Sequence, residues 1–462
     1  MGGALIHPRS SGILSRRLGG GAESGKRWRL CAEHHEEQSQ VFPGLPDELA
    51  CQILARTPRS FHSSLKLVCK AWNQALSSRE LYDIRKELNL TEEWLYILMR
   101  GADEEAHWYA VDPDSGRWKI LPDMPQSMEN EEPHRIGVSW GLWSALGNSG
   151  VKLSSILKGW FNRRDSFEKV PYCGCSAVAM SGCLYVLGGF FRASSLKCMW
   201  RYDARTNEWT ESASLGTARA YCKTGMLNNK LYAVGGVSRA DAGLLPLQSA
   251  EVYDPTANYW IPIANMPFLH AQVLPTLFWA DMLKPIATGL VPYQGKLCVP
   301  QSLYSWPFFL DVGGEVYDPA SNLWSEMAHG MGEGWPSRKA GMKLSAVVNE
   351  QLFALDPSNS IDGNKVRMYD TEKDVWKVVH KNVPVLLDLT EAESPYLLAG
   401  FKDKLYIVTK DVSDNIAVLR ADLSQLLPSG TNIQSSENEG WTTLSSRKFG
   451  PAELVACQVL DL

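Results

Sequence analysis

Four arginines, Arg192, Arg219, Arg239 and Arg338, stand where a chain would do its chemistry by recognition. A guanidinium presents a planar fork of donors that matches a carboxylate or a phosphate two bonds at a time. Solvated rim charge is the competing reading for each of them. Bond-making chemistry finds no framework here: the sequence has no Gly-x-Ser-x-Gly elbow, no phosphate loop and no His-Glu-x-x-His. His34 and His35 beside Glu36 and Glu37 have metal-ligand character, but no further ligand lies near them in sequence, which favours a solvated tail. Ten cysteines stand singly, none in a Cys-x-x-Cys pair. Cys173 and Cys175 alternate as on one face of a strand, so reduced, core-filling thiols are expected, in cytosol or nucleus. No metal or cofactor is implied.

The elements that position the arginines come from a repeat. Val252-Tyr253-Asp254-Pro255-Thr256-Ala257-Asn258-Tyr259-Trp260 returns as Val316-Tyr317-Asp318-Pro319-Ala320-Ser321-Asn322-Leu323-Trp324. Looser copies run from Asp112 to Trp118, Asp203 to Trp209 and Asp370 to Trp376, always with tryptophan six residues after aspartate. A degraded copy pairs Asp422 with Trp441 over a longer loop. The phrase reads as a hairpin corner. Val-Tyr ends a strand, aspartate accepts bonds from amides ahead of it, Asn or Gly closes the turn, and tryptophan opens the next strand. Recurrence at intervals of roughly 50 residues implies a repeat architecture.

At 462 residues the chain exceeds one ordinary core. A net charge of −5 gives no reason to expect nucleic acid or an anionic membrane as partner, and no apolar run is long enough to span a bilayer. The amino-terminal stretch lacks the apolar segment of a secretory signal. Residues 1–40, rich in Gly, Ser and Arg, read as a disordered arm. Residues 41–90 read as helical. Leu45-Pro46-Asp47-Glu48-Leu49 starts one helix, which stops before Thr57-Pro58. A second is expected from about Phe61 to Leu76, with Leu65, Val68, Trp72 and Leu76 forming one apolar stripe. A segment this small makes a poor core. Its stripe needs a cover, supplied by the chain's own next domain or by a partner protein.

Leu45-Pro46, Ile53-Leu54, Pro58, Leu65 and Val68-Cys69-Lys70-Ala71-Trp72 together resemble an F-box. The resemblance implies binding to the Skp adaptor of cullin–RING ubiquitin ligases, with Leu45, Pro46, Ile53, Leu54, Leu65, Val68, Cys69 and Trp72 as the adaptor-binding positions. From residue 91 on, strands ending in paired glycines (Leu184 to Gly189, Leu231 to Gly236), each followed by a Tyr-Asp…Trp phrase, are similar to kelch repeats. The fold class expected is therefore mainly β: a six-bladed kelch-type β-propeller over 91–462 with a small all-α F-box domain at 41–90. The first unit lacks an inner strand, and Glu453 to Leu460 is a strand without a blade, so the last strand should close the first blade.

Strand direction alternates within a four-stranded blade. Loops from second to third strand therefore share a face with loops that lead to the next blade. The insertions at 126–168 and 266–286, and the loops 190–198, 237–249 and 300–314, all fall on that face. The Tyr-Asp corners fall on the other and are short. Long loops on a rigid scaffold mark a binding face. Within 126–168, Leu153, Ile156, Leu157, Trp160 and Phe161 keep helical spacing among Lys152, Lys158, Arg163 and Arg164, which suits a helix packed on the propeller better than a membrane helix. Some kelch-like propellers are secreted copper oxidases; the nine scattered histidines argue against that class. The family resemblance implies a non-catalytic adaptor subunit that presents an unidentified protein substrate to a ubiquitin ligase. The alternative is a kelch scaffold or cytoskeletal binder whose helices only brace the ring.

Overall fold

The computed structural model describes residues 40–101, 105–125, 172–191, 194–240, 243–269, 285–305, 308–336, 343–356, 364–381, 383–384, 396–411, 413, 415–426 and 440–462. Residues 1–39 of the arm, the 126–168 insertion, residues 270–284, Arg192 and Arg338 lie outside the described residues.

Six sheets form the ring. The first has the order Glu453–Asp461, Glu93–Arg100, Ala106–Val111, Trp118–Ile120. Its innermost strand is the last strand of the chain, paired antiparallel to Glu93–Arg100 and clasped beyond by two backbone bonds between Glu92 and Leu462. The expected closure is thus the observed one. The second blade runs Ser176–Met180, Cys183–Leu187, Met199–Asp203, Glu208–Ser212, and the third Lys223–Leu227, Lys230–Val234, Ala250–Asp254, Tyr259–Ile263. In the fourth the inner strand is broken into Ile286–Ala287 and Val291–Tyr293, and the middle strands Lys296–Ser305 and Phe308–Asp318 run far past the sheet. The fifth (Ser345–Val348 to Val375–His380) and sixth (Tyr396–Phe401 to Thr442–Arg447) are four-stranded, each with one register shift in its outer strand pair.

Apolar cores lie between neighbouring blades. Trp94, Tyr96 and Trp108 of the first pack with Leu184, Val186 and Tyr202 of the second. The repeated phrase explains how blades are joined. Asp254 Oδ1 accepts from the amides of Thr256 and Ala257, which hold its carboxyl below the usual carboxylate range. The residue four beyond the aspartate takes positive φ in each of the five close copies: Gly116, Asn207, Asn258, Asn322 and Asp374. Glycine and asparagine tolerate that conformation. In the third and fourth blades its side chain works twice. Asn258 Oδ1 accepts from Tyr253 Oη at 2.8 Å and from the Ala213 amide of the preceding blade at 3.1 Å. Asn322 repeats this with Tyr317 and Ala264. The tryptophan then donates its indole N–H to the same preceding segment: Trp260 to Ala213 O at 2.9 Å, Trp324 to Ala264 O at 2.7 Å, Trp209 to Pro122 O at 2.9 Å. Each corner is a staple between blades. The degraded copy keeps Trp441 in the core between the last two blades, while a short helix, Leu423–Leu426, replaces the corner.

The paired glycines Gly188-Gly189 and Gly235-Gly236 all have positive φ. A Cβ at Gly188 would meet Arg219 O at 2.1 Å, and one at Gly236 would meet Ala220 O at 2.5 Å. They let the entry segment of the next blade cross directly over the sheet end.

The helical part has four helices, α1 Asp47–Ala55, α2 Arg59–Leu65, α3 Lys70–Ser77 and α4 Arg79–Glu87. The single helix expected from Phe61 to Leu76 is therefore broken. Cys69 is extended (φ −160°, ψ 168°) and its Sγ caps the Trp72 amide at 3.4 Å, so it begins a helix instead of continuing one. The stripe dissolves with it: Leu76 turns into the core while Val68 points to solvent. Cys173 and Cys175 also depart from expectation. Gly174 between them has φ +70°, and Cys173 makes only an isolated bridge to Phe190, so this is a turn, not a strand. The nine described cysteines are free.

Candidate functional site

Two surfaces carry the candidate residues. On the helical domain, Leu54, Ala55, Ala75, Leu76 and Leu81 form a small core, with Trp72 and Leu65 packed against it. Trp72 lies on Phe42 with ring centroids 5.0 Å apart and donates its indole N–H to Val41 O at 2.8 Å. Leu54 is fully buried, so it builds the domain and does not face a partner. Trp72 and Leu65 are half-buried core-edge residues, and so is Leu45. Pro46, Ile53, Val68 and Cys69 are exposed.

Beside them stand Leu49, Phe61 and Leu67, the last 87% exposed. Sequence reasoning missed these three. Leu49 was findable, because it lies one turn before Ile53 on α1. Leu67 was hidden by the expectation of a continuous helix. Leu49, Ile53, Phe61, Leu67 and Val68 are thus five exposed large apolar side chains on one small domain.

The helical domain sits on the ring face that carries the short corners. Arg59 donates to Ala204 O and Lys66 to Arg205 O, both in the Asp203 to Trp209 corner. Lys119 Nζ donates to Ser63 Oγ at 2.9 Å, and the Arg59 guanidinium lies 5.9 Å from the Trp94 ring centroid. A Cβ at Gly182, in the inner turn of the second blade, would touch Tyr82 of α4 at 3.4 Å. Partial burial, with Arg59 and Lys119 close by, pulls the Lys66 ammonium down to about 8. The domain's contacts with the ring are thus largely polar, and its exposed apolar residues stay uncovered.

The opposite face carries the long loops. Phe190–Phe191 with Ser194–Ser195, and Val237–Ala240 with Gly243–Pro246, form two small hairpins. They stand side by side, with Ser195 Oγ 3.1 Å from Ser238 Oγ. The extended strands of the fourth blade make a third, taller hairpin. Entry segments interlock beneath: Ala220 bridges Val237, and Tyr221 N donates to Gly174 O at 2.7 Å.

Arg239 is on the second hairpin and exposed. Arg219 is not at an open mouth. It is fully buried, donating to Gly235 O at 2.8 Å, Ser249 O at 3.0 Å and Glu251 Oε1 at 2.5 Å. Glu251 in turn accepts from the amides of Gly216 at 2.7 Å and Thr217 at 3.0 Å. The pair ties an entry segment to the third strand of its own blade, so Arg219 is a strut and not a recognition group. Glu315, at the matching position of the fourth blade, does a similar task with the Leu269 amide at 2.7 Å and Gln301 at 2.9 Å. Among the described residues there is no group of His, Cys, Asp or Glu arranged to hold a metal ion.

The chain is thus a ring of six blades bearing a small helical domain with exposed apolar residues. Comparison with known families agrees: the F-box domain profile matches residues 42–84, and the Kelch motif matches residues 171–216 and 218–267. F-box/kelch-repeat protein At1g22040 of Arabidopsis thaliana is 50% identical over 457 residues, covering 96% of this chain and 95% of that protein. F-box/kelch-repeat protein At1g30090 of the same plant is 27% identical over 68% of this chain and 64% of its own length. F-box protein AFR, also from Arabidopsis thaliana, is 24% identical over 93% of this chain and 94% of its own. The chain belongs to the F-box/kelch-repeat family.

Proposed function

We propose that this chain is the substrate-recognition subunit of a Skp–cullin–RING ubiquitin ligase. The helical domain binds a Skp1-type adaptor through Leu49, Ile53, Leu67 and Val68, and the ring binds the protein to be ubiquitinated on its long-loop face. One observation carries the reading: the domain with the exposed apolar patch is seated on one face of the ring, while the hairpins rise from the other. Adaptor and substrate would then occupy opposite sides without competing. In this reading the chain itself supplies binding and orientation, and the partner subunits supply the chemistry.

The test is a binding titration of purified full-length chain with a Skp1-type adaptor. Ile53→Asp combined with Val68→Asp should abolish binding with the ring still folded. Affinity capture in the same background should retain the ring's substrate. Wild-type chain that fails to bind any Skp1-type adaptor would overturn the assignment and leave a kelch scaffold.

A further inference from the structure

We infer that Glu92 is a positioning residue that locks the helical domain to the ring at one angle, so that adaptor and substrate faces move as one body. The inference rests on the adaptor reading above, and it concerns what that reading leaves open: how the two surfaces are held relative to each other.

Glu92 is the residue just before the first ring strand, and its carboxylate gathers three donors from three places. Oε1 accepts from the backbone amide of Arg59, at the start of α2, at 2.8 Å. The same oxygen accepts from Arg85 Nη2 of α4 at 2.8 Å. Oε2 accepts from the indole N–H of Trp94, in the ring, at 3.0 Å. Its backbone is fixed as well, bonded in both directions to Leu462 of the closing strand. One carboxylate thus joins two helices to the first blade.

Arg85 extends the lock. Its side chain is buried, and its Nη1 donates to the carbonyls of Ala55 and Thr57, both at 2.8 Å, while Nη2 also donates to Leu90 O at 2.7 Å. The ends of α1 and of the α4-to-ring connection are therefore pinned around one guanidinium. A second point of attachment, Arg59 and Lys66 on the carbonyls of Ala204 and Arg205, lies on the second blade. Two separated anchor points remove rotation about either.

Polar inter-domain contacts without a shared apolar core would ordinarily leave domains free to reorient. Here a carboxylate held by three fixed donors supplies directionality in place of area, because charge-assisted bonds are short and orientation-dependent. An adaptor held on α1–α3 and a substrate held across the ring would then keep a constant separation.

The experiment measures the distance distribution between two spin labels carried on non-natural residues at the exposed positions Glu80 and Glu372. It uses the full chain, free and with a Skp1-type adaptor bound. Wild type should give one narrow distribution in both states. Glu92→Ala should broaden it roughly two-fold or more, towards the spread of domains joined only by a linker. Adaptor affinity should not change, because Glu92 is not on the exposed apolar patch. Should Glu92→Ala fail to fold, Lys66→Met removes one of the two bonds of the second anchor, leaving Arg59 on Ala204, and should broaden the distribution by a smaller amount. A broad wild-type distribution, or narrow distributions in both variants, overturns the lock. Loss of adaptor binding by wild type would instead strike at the adaptor reading and leave the distance result standing.

Discussion

Replacing Arg219 by alanine should cost stability, not recognition. The guanidinium is fully buried and bonds to two carbonyls, the Ser249 hydroxyl and the Glu251 carboxylate. Removing it strands Glu251 in a site where water does not reach, with only the amides of Gly216 and Thr217 left to it. Breaking a buried ion pair from one side costs about 3–5 kcal/mol. In a domain of this size a kilocalorie moves Tm by roughly 2 °C, so the expected fall is roughly 6–10 °C. The assay is thermal unfolding of the full chain followed by calorimetry, alongside capture of ring partners below the transition. The double variant Arg219→Met with Glu251→Gln should melt higher than Arg219→Ala alone, because no uncompensated charge is left buried. Arg239→Ala, on an exposed hairpin, should leave Tm nearly where it was. An Arg219→Ala protein that melts with wild type yet loses its partners would refute the strut and restore Arg219 as a recognition group.

Deleting 453–462 should strip the inner strand from the first blade and give an aggregating or sharply destabilised ring, seen by light scattering and a lowered melting temperature. Asn322→Ala should cost about 0.5–1.5 kcal/mol in urea unfolding, since it removes the acceptor shared by the part-buried Tyr317 hydroxyl and the exposed Ala264 amide. Trp72→Ala should weaken adaptor binding and also loosen the helical domain, because the indole supports Phe42 and Val41; loss of binding with unchanged domain stability would contradict that placement. Burial, aided by Arg59 and Arg85, lowers His62 to about 4. The unfolded chain takes up its proton near the ordinary histidine value, so between there and pH 4 the unfolded state binds more protons and stability is lost as pH falls. Acid melting of the helical domain over that window should flatten in His62→Leu.

Much of the ring was legible because its signals are local. The six-residue step from aspartate to tryptophan encodes a corner whose geometry needs only one turn of chain. The orphan strand at Glu453 and the missing inner strand before Trp94 together fixed the closure. What was not legible depends on contacts distant in sequence. Arg219 reads as a rim arginine until Glu251 and the carbonyls of Gly235 and Ser249 are seen to converge on it. On the helical domain, periodicity alone carried the helix through Cys69, whereas a side chain able to cap Trp72 was the local reason to stop. Leu54 and Val68 both belong to the apolar pattern, and only the packing of α1 against α4 and α3 decides that one is core and the other surface. The seat of the helical domain on the Asp203 corner rests on carbonyl oxygens, which no side-chain pattern reveals.

The pairing of Glu93–Arg100 with Glu453–Asp461 sets an order of events during synthesis. The helical domain leaves the ribosome before the ring, and the strand that closes the first blade leaves after the other five blades. Until then the first blade offers an unpaired edge, and Glu92 lacks the backbone partner it finds in Leu462. The entropy of closing so long a loop is small, about 2 kcal/mol more than for one blade. The delay is therefore set by translation time, and the nascent chain must be shielded over the whole interval. The bonds of Arg59 and Lys66 to the second blade can form before the ring closes, and the Glu92–Leu462 clasp is added only with the closing strand.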